Sequence, residues 1–292
     1  MIIVTGANGK LGRAVVEQLI KRVPAEQIGV SVRDPNQAQE LQERGVRVRP
    51  GNFDDAENLH HAFEGASQVL IVSTGIMGEA GIPQGIRQHQ AAIDAAKKAG
   101  ASRILYTSHM GSSPTSSFPP MVHHAGTEEL LSASGVPFTS LRNGYYAAAV
   151  PMLIGGALKT GELIAPEDGP VAWTAHSDLA EAAAAMISER NLDGATPPLT
   201  ASEAIDMEGI AAIASEIVGR TIRRIVVSDE EFRDRMLSQG VPEASVNMRM
   251  GMFLASRQGD FAQVDPALAQ LIGRPPVSMR DVLKQSIARQ LG

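Results

Sequence analysis

The residues with the clearest chemical content stand near the start of the chain. Thr5-Gly6-Ala7-Asn8-Gly9-Lys10-Leu11-Gly12 spaces three glycines as G-x-x-G-x-x-G. The segment follows a β-branched run, Ile2-Ile3-Val4, and opens a helical pattern. In such a turn Gly6 permits a tight reversal and Gly9 lets backbone amides approach a pyrophosphate. Gly12 lets the helix pack closely on the sheet, and the helix N-terminus favours the negative charge. Gly6, Asn8, Gly9, Lys10, Leu11 and Gly12 are therefore candidate dinucleotide-binding residues. A glycine triplet alone is a weak signal, but the strand before it and the helix after it meet the context the motif needs.

Four further groups sit at strand ends. The second strand candidate closes at Arg33 in Val32-Arg33-Asp34-Pro35. An acidic residue there suits the ribose hydroxyls of NAD, whereas a basic one suits a 2′-phosphate. Asp34 lies one step further and precedes a proline, so it reads as the start of the next helix. NADPH is favoured as cofactor, and NADH stays allowed. After the third strand, Phe53 can flank an adenine ring, with Asn52 or Asp54 bonding its edge. Asp54 by itself reads better as a helix cap. Ser73-Thr74-Gly75 ends the fourth strand with small residues that leave room for a cofactor. Thr107-Ser108-His109 ends the fifth and points toward the nicotinamide position.

These groups need a scaffold that brings strand ends together. Strand candidates at Ile2–Thr5, 28–33, 46–49, 68–73, 103–108 and 137–141 alternate with helix candidates at 9–22, 36–44, 55–63, 84–99 and 122–134. Strand–helix alternation with short connections implies parallel strands and right-handed crossovers. The expected fold is α/β, a Rossmann-type doubly wound parallel sheet with its ligand at the carboxyl ends of the strands. After Leu141 the pattern changes. Asn143–Gly161 reads as a loop with a helix, and short strands are expected near 171–174, 198–200 and 221–227. Helices are expected at 177–189, 208–218, 229–239, 243–256, 266–272 and 278–290, with Ser177 and Asp178 as caps of the first. The domain expectation is a dinucleotide-binding part over 1–142, with a returning segment around 171–200. A mainly helical substrate lobe then spans 143–292. Gly111–Pro120, rich in Ser and Pro, reads as a loop near the ligand site.

Composition narrows the function classes. Among 292 residues there are 26 basic and 32 acidic side chains, a formal net charge of −6, which argues against a general grip on nucleic acid. The chain is 43% hydrophobic and 20% charged, so a sizeable core is expected rather than disorder. There is no cysteine, which excludes disulfides, zinc–thiolate sites, iron–sulfur clusters and cysteine nucleophiles. No apolar run approaches a membrane span, and the N-terminus has no signal-peptide pattern, so the chain reads as cytoplasmic.

Together these residues resemble the NmrA-like group of atypical short-chain dehydrogenase/reductases. The resemblance rests on the glycine loop, Val32-Arg33, Gly51-Asn52-Phe53-Asp54 and Ile104-Leu105-Tyr106-Thr107-Ser108. His124-Ala125-Gly126-Thr127-Glu128 and Leu141-Arg142-Asn143-Gly144-Tyr145-Tyr146 sharpen it toward the subgroup of type 2 quinone oxidoreductases and triphenylmethane-dye reductases, as do Gly240–Glu243 and Leu271–Pro276. It implies NADPH between a Rossmann domain and a smaller lobe. It further implies hydride transfer to a small quinone or aromatic acceptor, with no membrane or nucleic-acid partner and a homodimer allowed. The chain departs from ordinary short-chain dehydrogenases, because no Tyr-x-x-x-Lys pair exists. His124 and Glu128 take that spacing instead. At i and i+4 they share a helix face, so both can face the cofactor, with the carboxylate orienting the imidazole and raising its pKa; His124 then either positions the cofactor, the favoured role, or donates a proton. Asn143 and Tyr145, after the sixth strand, can orient an acceptor oxygen or the cofactor carboxamide.

Other residues carry blander readings. His60-His61 and His123-His124 diverge by about 100° as helix neighbours, which is poor for one metal, and a solvated helix face is the default. Met248, Met252 and Phe253 form a stripe expected to pack in the core, with an aromatic pocket as the sharper reading. Trp173 and His176 are candidates to border the pocket. A nucleotide-sugar epimerase is disfavoured by the missing Tyr–Lys pair. A non-catalytic redox sensor that binds NAD(P) is the competing reading.

Overall fold

A computed structural model describes all residues except Met77, Arg190, Asn191 and Gly292. The N-terminal half runs β1 (Ile2–Thr5), α1 (Lys10–Leu19), β2 (Ile28–Val32), α2 (Gln39–Glu43), β3 (Arg47–Pro50), α3 (Ala56–Phe63), β4 (Gln68–Ile71), α4 (Ile82–Lys98), β5 (Arg103–His109), α5 (Pro119–Ala133) and β6 (Phe138–Asn143). The two-residue strand Gly194–Ala195 joins the far edge. The seven-stranded sheet has the order Gly194–Ala195, β6, β5, β4, β1, β2, β3, and every pair is parallel. This is the expected doubly wound α/β fold. The chain reverses direction across the sheet between β1 and β4, which opens a crevice at their carboxyl ends.

The local reasons are readable. All four residues of β1 are buried, as a β-branched run covered on both faces requires. In α1, Leu11, Val15, Val16 and Leu19 form one buried stripe at helical spacing. That stripe packs with Leu179, Ala183 and Ile187 of the helix His176–Glu189 on one side of the sheet. Leu59 and Phe63 of α3, Ile93 of α4 and Leu131 of α5 fill the other side. A third core unites Phe118, Trp173, Ile210, Phe253, Phe261 and Leu283 in the mainly helical C-terminal part. Leu268 and Ile272 lie instead in the core beneath α1, so the helix Ala267–Ile272 packs on the dinucleotide-binding side.

Several elements differ from the sequence expectation. Glu162–Pro166, not expected as a strand from the sequence, forms a parallel pair with Arg223–Val227, the strand expected at 221–227. Pro198–Thr200 is not a strand, and Leu199 makes a single bridge to Asn143. The sheet edge falls at Gly194–Ala195, where docking beside β6 rather than local preference extends the chain. Asp178 does not cap its helix. It is fully buried, accepting from Arg274 Nη2 at 2.8 Å and from the Val277 amide at 2.7 Å, and so ties down the C-terminal segment. The Met248 stripe packs in the third core, with Met252 and Phe253 buried. Among the described residues, no helix is long and apolar enough to cross a membrane.

Candidate active site

The cleft at the carboxyl ends of β1, β2, β3 and β4 has a volume of about 1050 Å³. Gly6, at φ +64°, makes the left-handed turn out of β1, and the Gly9 amide closes it by donating to Gly6 O at 2.9 Å. Gly9 precedes α1 in an extended conformation with no side-chain cap, which leaves the first-turn amides free for an anion. Gly12 is needed for packing, because a Cβ there would sit 2.4 Å from Gly6 O. Gly6, Asn8 and Gly9 line the cleft; Lys10, Leu11 and Gly12 do not. Leu11 is buried in the core, so only its backbone can serve a ligand.

Arg33 stands exposed on the cleft wall and, among the described residues, makes no ion pair. Asp34 is committed to its turn, accepting from the Asn36 amide at 3.1 Å and Gln37 Nε2 at 3.0 Å. Asn52, Phe53, Ser73, Thr74 and Gly75 also line the cleft. Asp54 does not cap α3, since Asp55 holds that position and accepts from the Asn58 amide. Asp54 instead accepts both of its bonds from Gln88 Nε2, at 3.1 and 3.0 Å. Gln84, Gly85 and Gln88 of α4 line the same cleft and were not singled out from the sequence. Their signal was the Gln84/Gln88 pair at i and i+4, a polar face on a helix that follows a cofactor-facing strand end.

Thr107 and Ser108 are buried supports. Thr107 Oγ1 accepts from the Ser73 amide at 2.9 Å, and Ser108 Oγ donates to Glu128 at 2.8 Å. Glu128 does not orient His124. Its carboxylate also accepts from Ser112, Ser140 and Arg142 Nε and Nη2, joining α5 to β5 and β6. Burial pushes its pKa up, but the bonds from Arg142, Ser140 and Ser108 outweigh that and hold it below the usual value. His124 Nδ1 instead lies 2.7 Å from the Tyr106 hydroxyl. Burial, then the nearby imidazoles of His109, His123 and His89, push the His124 pKa well down, opposite to the expected rise.

Around His124 the site is aromatic and uncharged. Its ring stacks on His109, which packs against Tyr145 and Phe261 at 5.4 and 5.5 Å. Burial holds His109 down to about 3 and raises Tyr145. Asn143 is buried beside His109 in the sheet register, and its Oδ1 has no partner among the described residues. His123 is also buried, not on a solvated face. Trp173 donates to Ile205 O from within the third core, and His176 packs on Tyr146 at 4.4 Å; neither lines the cleft.

Residues 1–274 match the sequence pattern of the NmrA-like family. The chain belongs to the NmrA-like family. Quinone oxidoreductase 2 of Escherichia coli (strain K12) is 34% identical over 284 residues, covering 96% of each chain. The crystal structure of an NADPH-dependent quinone oxidoreductase from Escherichia coli, complexed with NADPH, matches with a TM-score of 0.91 at 32% identity over 100% of both chains. Triphenylmethane reductase of Citrobacter sp., complexed with NADP(H), matches with a TM-score of 0.89 at 30% identity, covering 98% of this chain and 100% of that one. The family resemblance read from the sequence is thereby borne out. The residues of this NmrA-like chain also fit NADP(H) on their own geometry. Uncapped amides at the start of α1 suit a pyrophosphate, and Arg33, exposed on the cleft wall, suits a 2′-phosphate.

Proposed function

We propose that this NmrA-like oxidoreductase, an NADP(H)-dependent enzyme, reduces quinones and related conjugated or aromatic acceptors such as dyes. The observation that carries this acceptor class is the uncharged site around His124. Burial is the leading cause that keeps His124, His109, Tyr106 and Tyr145 neutral. Such a site offers no imidazolium and no phenol of lowered pKa to protonate an alkoxide. A quinone makes less demand on an acid, because hydride acceptance leaves a delocalised anion that solvent can protonate.

Bound NADPH supplies the hydride. The chain's own residues bind and orient. Gly6, Asn8 and Gly9 form the phosphate end of the cleft, Arg33 reads the ribose phosphate, and Phe53 flanks the adenine. Ser73, Thr74 and Gly75 form the wall toward the reacting end, and Tyr145 borders the acceptor, with Asn143 sealed in the sheet beside His109. Proximity then supplies much of the rate.

The test is a panel of quinones, triphenylmethane and azo dyes, enones and simple aldehydes, run with NADPH and NADH side by side. Turnover on quinones or dyes with NADPH, and little on aldehydes, is expected. Cofactor binding with no turnover on any acceptor would favour the redox-sensor reading instead.

A further inference from the structure

We propose that Tyr106 is a positioning residue for this reaction: its hydroxyl fixes His124 as the Nε2–H tautomer, which presents a neutral hydrogen-bond donor to the acceptor oxygen. The inference rests on the reductase reading above, but its central observation can be made without turnover.

Tyr106 is fully buried in β5, and its hydroxyl lies 2.7 Å from His124 Nδ1. Between a neutral phenol and a neutral imidazole, the phenol is the better acid and the ring nitrogen the better base. The O–H therefore donates and Nδ1 accepts. A neutral imidazole carries one N–H, so accepting at Nδ1 places the proton on Nε2. Nε2 makes no hydrogen bond among the described residues, yet it is not among the sealed polar atoms that lack partners. It therefore keeps an open edge.

Every titratable neighbour supports the neutral form. Tyr106 and His109 face His124 from β5, His123 sits beside it on α5, and His89 of α4, stacked on His123, acts on it from one ring further away. Glu128, the carboxylate one turn away, is taken up by Arg142 and three serines. His124 does not line the cofactor cleft, and its stacking partner His109 leads to Tyr145 and Phe261 of the third core. That placement directs the donor to the acceptor rather than to the cofactor phosphates. As the acceptor takes up a hydride, its C=O becomes an oxyanion that the Nε2–H stabilises. Water then protonates the oxyanion, and His124 ends the cycle unchanged.

The experiment is long-range proton–nitrogen NMR on cofactor-free protein labelled with ¹⁵N-histidine, with the His124 signals assigned by their loss in His124→Gln. A protonated Nε2 and an unprotonated Nδ1, unchanged between about pH 5 and 8, are expected. In Tyr106→Phe the two tautomers should mix. Turnover on a benzoquinone should then fall roughly 5- to 20-fold, the effect of one misdirected hydrogen bond, with unchanged NADPH affinity. His124→Gln retains an N–H near the Nε2 position, so adding Tyr106→Phe to it should cost little more. A proton on Nδ1, a doubly protonated ring at neutral pH, or an unchanged tautomer in folded Tyr106→Phe overturns the proposal. If Tyr106→Phe does not fold, the wild-type spectrum alone decides. A panel without turnover would sink the reductase reading while leaving the tautomer result intact.

Discussion

Removing the Glu128 carboxylate should weaken the fold around the site without touching cofactor affinity. Five donor contacts converge on it: the hydroxyls of Ser108, Ser112 and Ser140, and Arg142 Nε and Nη2. Breaking a buried ion pair by deleting one partner costs about 3–5 kcal/mol. The Glu128 side chain is only 15% exposed, but that of Arg142 is 35% exposed, so water can recover part of the loss. A reduced cost of about 2–4 kcal/mol is expected for Glu128→Ala. At an unfolding entropy of about 2.1 cal/mol/K per residue, this lowers Tm by roughly 3–6 °C for a chain of this length. Glu128→Gln, which keeps the shape and loses the charge, should fall between. The pH sign follows from the depressed folded pKa. The carboxylate's contribution is fully present above the unfolded glutamate value of about 4.3 and is lost as pH falls through the lower folded value. Thermal unfolding of the wild type and both variants at about pH 7 and at pH 3–4 should show the gap narrowing in acid. NADPH titration at neutral pH should give the same Kd for all three. A Tm within about 1 °C of wild type for Glu128→Ala would refute the reasoning, because the carboxylate would then not be the hub joining α5 to β5 and β6.

Three further outcomes are expected. Arg33→Ala should weaken NADPH by roughly 10- to 150-fold and NADH little, measured by fluorescence titration; an equal loss for both would remove Arg33 from the 2′-phosphate. Gly9→Val and Gly12→Val should separate binding from folding. A Cβ at Gly9 meets Gly6 O at 3.3 Å, a tight fit that spares the apo fold while blocking the phosphate site, whereas one at Gly12 meets it at 2.4 Å and should lower Tm markedly. Finally, His124→Ala should slow single-turnover quinone reduction by about 10-fold, not the 10²–10⁴ of a lost general acid. The wild-type rate should show no titration near the ordinary histidine value, since burial holds His124 far below it, and such a titration would make His124 the acid.

The sequence by itself determined what depends on neighbours along the chain. The positive-φ turn at Gly6, the close packing at Gly12, the alternation of strands with helices and the placement of Arg33 at a strand end all follow from local backbone freedom and periodicity. Those features fix a parallel sheet and therefore where a dinucleotide must lie. Partner choice was decided only in three dimensions. His124 and Glu128 share the i, i+4 spacing, yet α5 lies over two strands that supply better partners. Tyr106 reaches His124 from 18 residues away in β5, and Arg142 reaches Glu128 from β6. Asp54 and Asp178 likewise look like helix caps until Gln88 and Arg274 arrive across the fold. The physical reason is common to all four. A helix face offers one side chain a whole arc of contacts, and a buried polar group takes whichever partner the packed elements set within hydrogen-bond reach. Spacing in the chain can bring candidates to the same face, but it cannot say what will be packed opposite them.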